Sequence, residues 1–250
     1  MAHIAHYTGL PVMRHHILDF QNDMKAIGTD KQWMFGESFL VAPIMEDNKF
    51  QAVVHLPKGV TWIDVSSFLK YDESDGRFRI GFDAFLPGGN DVKISAPLDT
   101  CPMLVVAGSI VPALDPCVMT LNTASNPNVT TWNDLKHIMN LWVWANESFE
   151  ARGQNWDGAL YSLKNVSLHG IEFSVKESQA NRTNVVQITG NWQGPPEMIV
   201  NKQTKDKIQL VDSWKDVAND SRTTCWTFDK ELRTLWIRLI PNVYVVTITV

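Results

Sequence analysis

The sequence has no apolar run near the roughly 20 residues that a membrane helix needs, so no membrane span is expected. It has no Lys/Arg cluster. With 22 basic and 27 acidic residues the net charge is -5, which argues against a nucleic-acid or anionic-membrane surface. Cysteine is scarce: Cys101, Cys117 and Cys225 show neither CxxC nor Cys/His zinc spacing. An odd number allows at most one intrachain bridge. Cys101 with Cys117 in an oxidising compartment is one reading, and three buried thiols is the other. Met1-Ala-His-Ile-Ala-His6 lacks a basic start and an apolar run, so no signal peptide is expected there. Gly88-Gly89 is not followed by Lys-Ser/Thr, which excludes a phosphate loop, and no Gly-x-Ser-x-Gly elbow occurs. No internal repeat or low-complexity run is present.

What remains has the composition of a folded globular chain, 44% hydrophobic and 20% charged, long enough for one large domain or two smaller ones. Tryptophan is abundant, ten against four tyrosines. Core packing in sheets accounts for most such residues; stacking on sugar rings is the functional alternative. Asn-X-Ser/Thr occurs at Asn128, Asn146, Asn165, Asn181 and Asn219, where composition gives about two by chance. These are the glycosylation candidates, and they point to a secretory-pathway, extracellular or lysosome/vacuole-like location.

The local patterns divide the chain. Ala2–Tyr7 reads as a helix end, with Gly9 and Pro11 as stop signals. Residues 12–20 read as a strand. Phe39–Ile44 is a continuous apolar run that fits a strand buried on both faces, as in a parallel sheet. After Glu46 come short β-segments at 52–56, 61–65, 91–94, 104–106 and 109–111, separated by Pro57-Lys-Gly59, Pro87-Gly-Gly89 and Ala107-Gly108. Residues 112–136 read as a connection. Beyond it, strands are expected at 141–144, 170–175, 184–189, 197–200, 224–228, 234–240 and 243–250. No helical period is sustained, so the texture after Glu46 reads as an antiparallel β-domain and that from about residue 140 as a second β-sandwich.

Several short motifs in fixed order carry a resemblance. They are Ala5-His6-Tyr-Thr-Gly-Leu-Pro-Val-Met-Arg14, Asn22-Asp23, Gln32-Trp-Met-Phe-Gly36, Phe39-Leu-Val-Ala-Pro-Ile44, Leu56-Pro-Lys-Gly-Val-Thr-Trp-Ile-Asp64, Ala96-Pro-Leu-Asp99, Gly108-Ser-Ile-Val-Pro112 and Trp156-Asp157-Gly158. This order resembles the C-terminal part of family 31 glycoside hydrolases, the α-glucosidase and α-xylosidase group. The match is dense over residues 5–112 and thin beyond about 160. The sequence departs at His15-His16, where Pro-Leu is usual, at Ile63, which replaces Tyr after a one-residue insertion, and at Trp156-Asp157-Gly158, which lacks one Asp.

The resemblance implies a mainly β chain: two antiparallel β-sandwich domains preceded by the last strands of a (β/α)8 barrel. Residues 1–45 would be the barrel remnant, 46–118 the proximal sandwich and 119–250 the distal one. The family's chemistry is retaining α-glycoside hydrolysis by two carboxylates at the C-terminal face of the barrel. The aspartate motifs that supply them do not occur in this sequence, so no catalytic residue is carried over. The implied partners are an α-glucoside-type carbohydrate in the complete enzyme and the rest of the barrel. No cofactor is implied.

Other local candidates weigh toward structural roles. His3 and His6, with His15 and His16, lack a third ligand at standard spacing, so no metal site is expected. Arg14 and Asp23 could line an active-site mouth, but loop-supporting ion pairs are the favoured reading. Asp64, Asp99 and Asp157 sit beside turn residues, where Asp usually caps its own backbone. Two functions follow: the C-terminal portion of a glycosidase, inactive alone, or a free-standing β-protein that binds carbohydrate or a partner. The second is disfavoured because two leftover barrel strands would expose apolar edges.

Overall fold

The computed structural model describes residues 2–47, 49–168, 170–176, 181–219 and 223–250. Helix α1 (Ala2–Thr8) stops as its sequence dictates: Gly9 takes φ +75° and its N–H donates to the Ala5 carbonyl. Ten strands follow: β1 (Met13–Arg14), β2 (Trp33–Phe35), β3 (Phe39–Val41), β4 (Gln51–His55), β5 (Thr61–Asp64), β6 (Leu69–Asp72), β7 (Arg77–Ile80), β8 (Phe85–Pro87), β9 (Asp91–Ser95) and β10 (Met103–Val106). Between β1 and β2 lie a 3-10 turn, His16–Leu18, and the one-turn helix α2 (Met24–Ile27). The strand expected over 12–20 is therefore confined to Met13–Arg14; the interruption by Arg14-His15-His16 becomes the start of a helical turn.

Six of these strands form one sheet in the order β1-β2-β3-β10-β5-β8. Its neighbours are antiparallel throughout, including β3 with both β2 and β10. The parallel sheet inferred from Phe39–Ile44 is thus corrected. The run is apolar because this sheet carries a core on each face. Leu40 packs with Met34, Trp62 and Leu104 beneath the β4–β9 pair, whereas Phe39 faces Ile63, Val105 and Trp144. The exposed apolar edges expected of leftover strands do not arise at β3, since it is paired on both sides.

The second sheet is built from β11 (Ser109–Ala113), β12 (Ile138–Trp144), β13 (Ala151–Gln154), β14 (Leu160–Ser167), β15 (Gly170–Lys176), β16 (Thr183–Thr189), β17 (Met198–Asn201), β18 (Gln209–Leu210), β19 (Cys225–Asp229), β20 (Thr234–Leu239) and β21 (Val245–Thr249). Its order is β17-β21-β15-β14-β13-β11-β12-β16-β20-β19-β18. Most pairs are antiparallel, but β12 and β16 run parallel over their whole length. The sheet curls until its ends meet: the segment before β18 bridges back to β17, with the Ile208 N–H donating to the Ile199 carbonyl. One large core fills the interior, including Leu141, Phe173, Ile188, Ile237 and Val246. Two short helices lie outside the strands, α3 (Trp132–Leu135) and α4 (Trp214–Asn219).

The β6–β7 hairpin docks the two sheets together. The Gln187 side chain accepts from the Ile80 N–H and donates to the Phe78 carbonyl, acting as a substitute strand for β7. Arg79 pairs with Asp229 at 2.8 Å and Lys70 with Glu231 at 2.6 Å. Among the described residues, no helix is long and apolar enough to cross a membrane.

Candidate functional site

The densest polar cluster joins the N-terminal segment to the β4–β9 pair. It begins with Asp23, which caps α2: one carboxylate oxygen accepts from the Lys25 and Ala26 N–H groups. The other accepts from the Lys58 N–H at 2.9 Å. His55, at the end of β4, lies against the same carboxylate through Nε2 at 3.1 Å, and its Nδ1 lies 2.8 Å from Asp91 Oδ1 on β9. Asp91 Oδ2 accepts from Lys25 Nζ at 2.6 Å. Each imidazole nitrogen thus meets a carboxylate, and both contacts are hydrogen bonds only when each nitrogen carries a hydrogen.

Gln32 locks the other side. Its Oε1 accepts from the His55 N–H and its Nε2 donates to the His55 carbonyl, which fixes the amide orientation. That same Nε2 lies 3.1 Å from His16 Nε2, so His16 must accept there. Burial foremost, then repulsion from His15 and His55, lowers the His16 pKa to about 4. For Asp23, burial raises the pKa, but hydrogen bonds from the Ala26 and Lys58 backbone and from His55 outweigh it and hold the value at about 2.

This arrangement holds two carboxylates but not in the geometry of a retaining pair. A retaining pair needs the sugar between its carboxylates, about 5 Å apart. Here an imidazole ring fills that space, and every strong acceptor position on buried Asp23 is occupied. The cluster is a brace between α2, β4 and β9.

The other sequence candidates are dispersed. Buried Arg14 donates to the Pro11 carbonyl and to Asp19 at 3.3 Å, holding its own loop. Asp64 accepts from the Ser66 N–H and Asp157 from the Ala159 N–H, both as turn caps, and Asp157 also pairs with Arg182. Asp99 accepts from the Thr100 hydroxyl. His3 and His6 flank the Tyr7 ring rather than each other. No group of three or more His, Cys, Asp or Glu side chains able to hold a metal occurs among the described residues. Cys101 and Cys117 are exposed and unbridged, and only Cys225 is buried, which corrects both cysteine readings. Of the ten tryptophans only Trp156 is exposed. Asn128, Asn165, Asn181 and Asn219 are exposed and Asn146 is half-buried; Ser221 of the last sequon lies outside the described residues. His55, Asp91 and Gln32 were not picked out by their chemistry. The sequence offers no local signal for them: His55 shares the outward face of β4 with exposed Gln51 and Val53, yet it is buried.

The site is thus an internal brace within a mainly β chain. Residues 9–111 match the family model described as glycosyl hydrolase family 31 C-terminal domain. The chain is 32% identical over 140 residues to an isomaltosyltransferase of Sporosarcina globispora, covering 56% of this chain and 11% of that protein. It is 30% identical over 169 residues to the lysosomal alpha-glucosidase of Bos taurus, covering 62% of this chain and 16% of that protein. A Flavobacterium johnsoniae GH31 dextranase shares the fold over 100% of this chain and 30% of its own, with a TM-score of 0.71 at 20% identity. The chain is thus similar to the C-terminal part of glycosyl hydrolase family 31 proteins, matching their C-terminal domain over residues 9–111, and it spans under a third of the length of each of these proteins.

Proposed function

We infer that the chain serves as the C-terminal portion of a retaining α-glycoside hydrolase, bracing a catalytic barrel, and that it has no glycosidase activity alone. The observation that carries this is an uncovered apolar segment. Tyr7, Met13, Ile17, Leu18, Met24 and Phe35 are all exposed within residues 7–35, and Met24 is 76% exposed. Large apolar side chains concentrated this way normally meet a partner surface. The family supplies that partner as the barrel, with residues 1–45 as its rear, 46–118 as the proximal sandwich and 119–250 as the distal one. Its substrate would be an α-glucoside-type carbohydrate.

The lysosomal relatives and the sequons support a glycosylated protein of the secretory pathway. In a secreting eukaryotic host, glycans are expected first at exposed Asn128, Asn165 and Asn181. Asn219 already donates to Asp75, and the Asn146 Oδ1 is engaged in its own turn. Glycopeptide mass spectrometry reads the occupancy.

One observation favours the second reading, a free-standing carbohydrate- or partner-binding protein: β2 and β3 are woven into the six-stranded sheet rather than left as loose ends. Self-association separates the two. The brace reading expects the chain to bind an apolar dye and to associate, and the triple change Tyr7→Ser, Met13→Gln, Met24→Gln to reduce both. A monomer with no dye binding contradicts it and favours the free-standing protein.

A further inference from the structure

A cavity of about 300 Å3 opens where the β6–β7 hairpin meets β11 and β12, at the lower end of the range for small-ligand pockets. One wall is aromatic. Trp142 stands edge-on to Phe78 at 6.1 Å and 71°, and Tyr71 lies 5.1 Å beyond Phe78. Phe78 and Tyr71 are exposed and Trp142 is half-buried. The opposite wall is polar. Buried Arg77 sits 3.0 Å from Asp75 and 3.3 Å from Asp115, and donates to the Asn140 side-chain Oδ1 at 3.3 Å.

The chemistry of these walls narrows the ligand. One guanidinium against two carboxylates leaves the polar side net negative, which disfavours phosphates and carboxylates. A purely apolar ligand would strip water from Arg77 and Asp115 without replacing its hydrogen bonds, at a cost. A guanidinium beside a carboxylate offers donors and acceptors together, as neighbouring hydroxyls require. Aromatic faces accept the apolar C–H face of a ring. We propose that this cavity binds a neutral pyranose unit of an oligosaccharide, stacked on Phe78 and bordered by Trp142, with its hydroxyls toward Arg77, Asp115 and Asn140. This goes beyond the bracing role and does not depend on it.

The test is calorimetric titration of the purified chain with maltose, followed in parallel by tryptophan fluorescence. Saturable binding is expected with a dissociation constant on the order of millimolar. Phe78→Ala, at an exposed ring, should weaken it about tenfold or more. Val118→Trp, which fills the cavity, should abolish it; should Phe78→Ala lower the melting temperature, this second variant decides. No saturable binding by the unaltered chain, or unchanged binding in Val118→Trp, overturns the proposal. Inorganic phosphate binding more tightly than maltose overturns the assignment of a neutral ligand. None of these outcomes bears on whether the chain braces a barrel.

Discussion

His16 and Asp23 set how the fold should respond to acid. In the unfolded chain His16 takes up a proton near its ordinary 6.5, whereas in the fold it resists until about 4. The unfolded state therefore binds more protons between those values, and stability falls as pH drops from 6.5 toward 4. Asp23 adds a second loss in the same direction, between its ordinary 3.8 and about 2. At pH 5 the His16 contribution is about 2 kcal/mol below its value at pH 7.5. Urea unfolding at the two pH values checks this, and His16→Phe should flatten the difference. Asp23→Ala removes a helix cap and strands the ring of His55. It should cost about 3–5 kcal/mol, read from the same unfolding curves. None of this was visible in the sequence. The partners of His55 lie 32 and 36 residues away, and nothing local marks a histidine as bridging two carboxylates. Asp23 stands out in the sequence by its motif, not by its cap and clamp.

Strands were legible where one face is wet and the other dry. The segments around 52–56, 91–94 and 170–175 alternate, and they form β4, β9 and β15. Leu69–Asp72 and Arg77–Ile80 were not legible. Their charged side chains look like loop, but Arg77 and Arg79 are held by acids and amides from distant segments. The apolar run at 39–44 was legible as doubly buried and misread as parallel, because a two-sided core has more than one architecture behind it. Gln187 shows the same long-range dependence. It reads as one polar residue in an otherwise apolar strand, yet it completes the hydrogen bonding of β7. Gln187→Leu leaves the Ile80 N–H and the Phe78 carbonyl without partners. It should cost about 1–3 kcal/mol for each group left unsatisfied, and raise hydrogen exchange at Ile80 before the cores of either sheet. Exchange at Ile80 that stays as slow as in the unaltered chain would show that the hairpin is held by its ion pairs instead.

For the whole molecule, family and fold class came from motif order, because turn glycines, prolines and strand texture are local. The joining of the two sheets was not readable, since Thr234, Asp229 and Glu231 reach the hairpin across more than a hundred residues of chain. The assembled molecule has a braced interior and an uncovered N-terminal apolar segment, and the Asp23 and Asp91 carboxylates are closed around a histidine. On these features rests the proposal that the chain braces a barrel and has no glycosidase activity alone. Hydrolysis of p-nitrophenyl α-glucoside by the purified chain tests that directly. The expected result is no release of nitrophenol above the rate of buffer alone, at any pH where the chain is folded. Sustained turnover that scales with chain concentration would place a catalytic centre within these residues and contradict the account, and its loss in Asp23→Asn or Asp91→Asn would locate that centre at the brace itself.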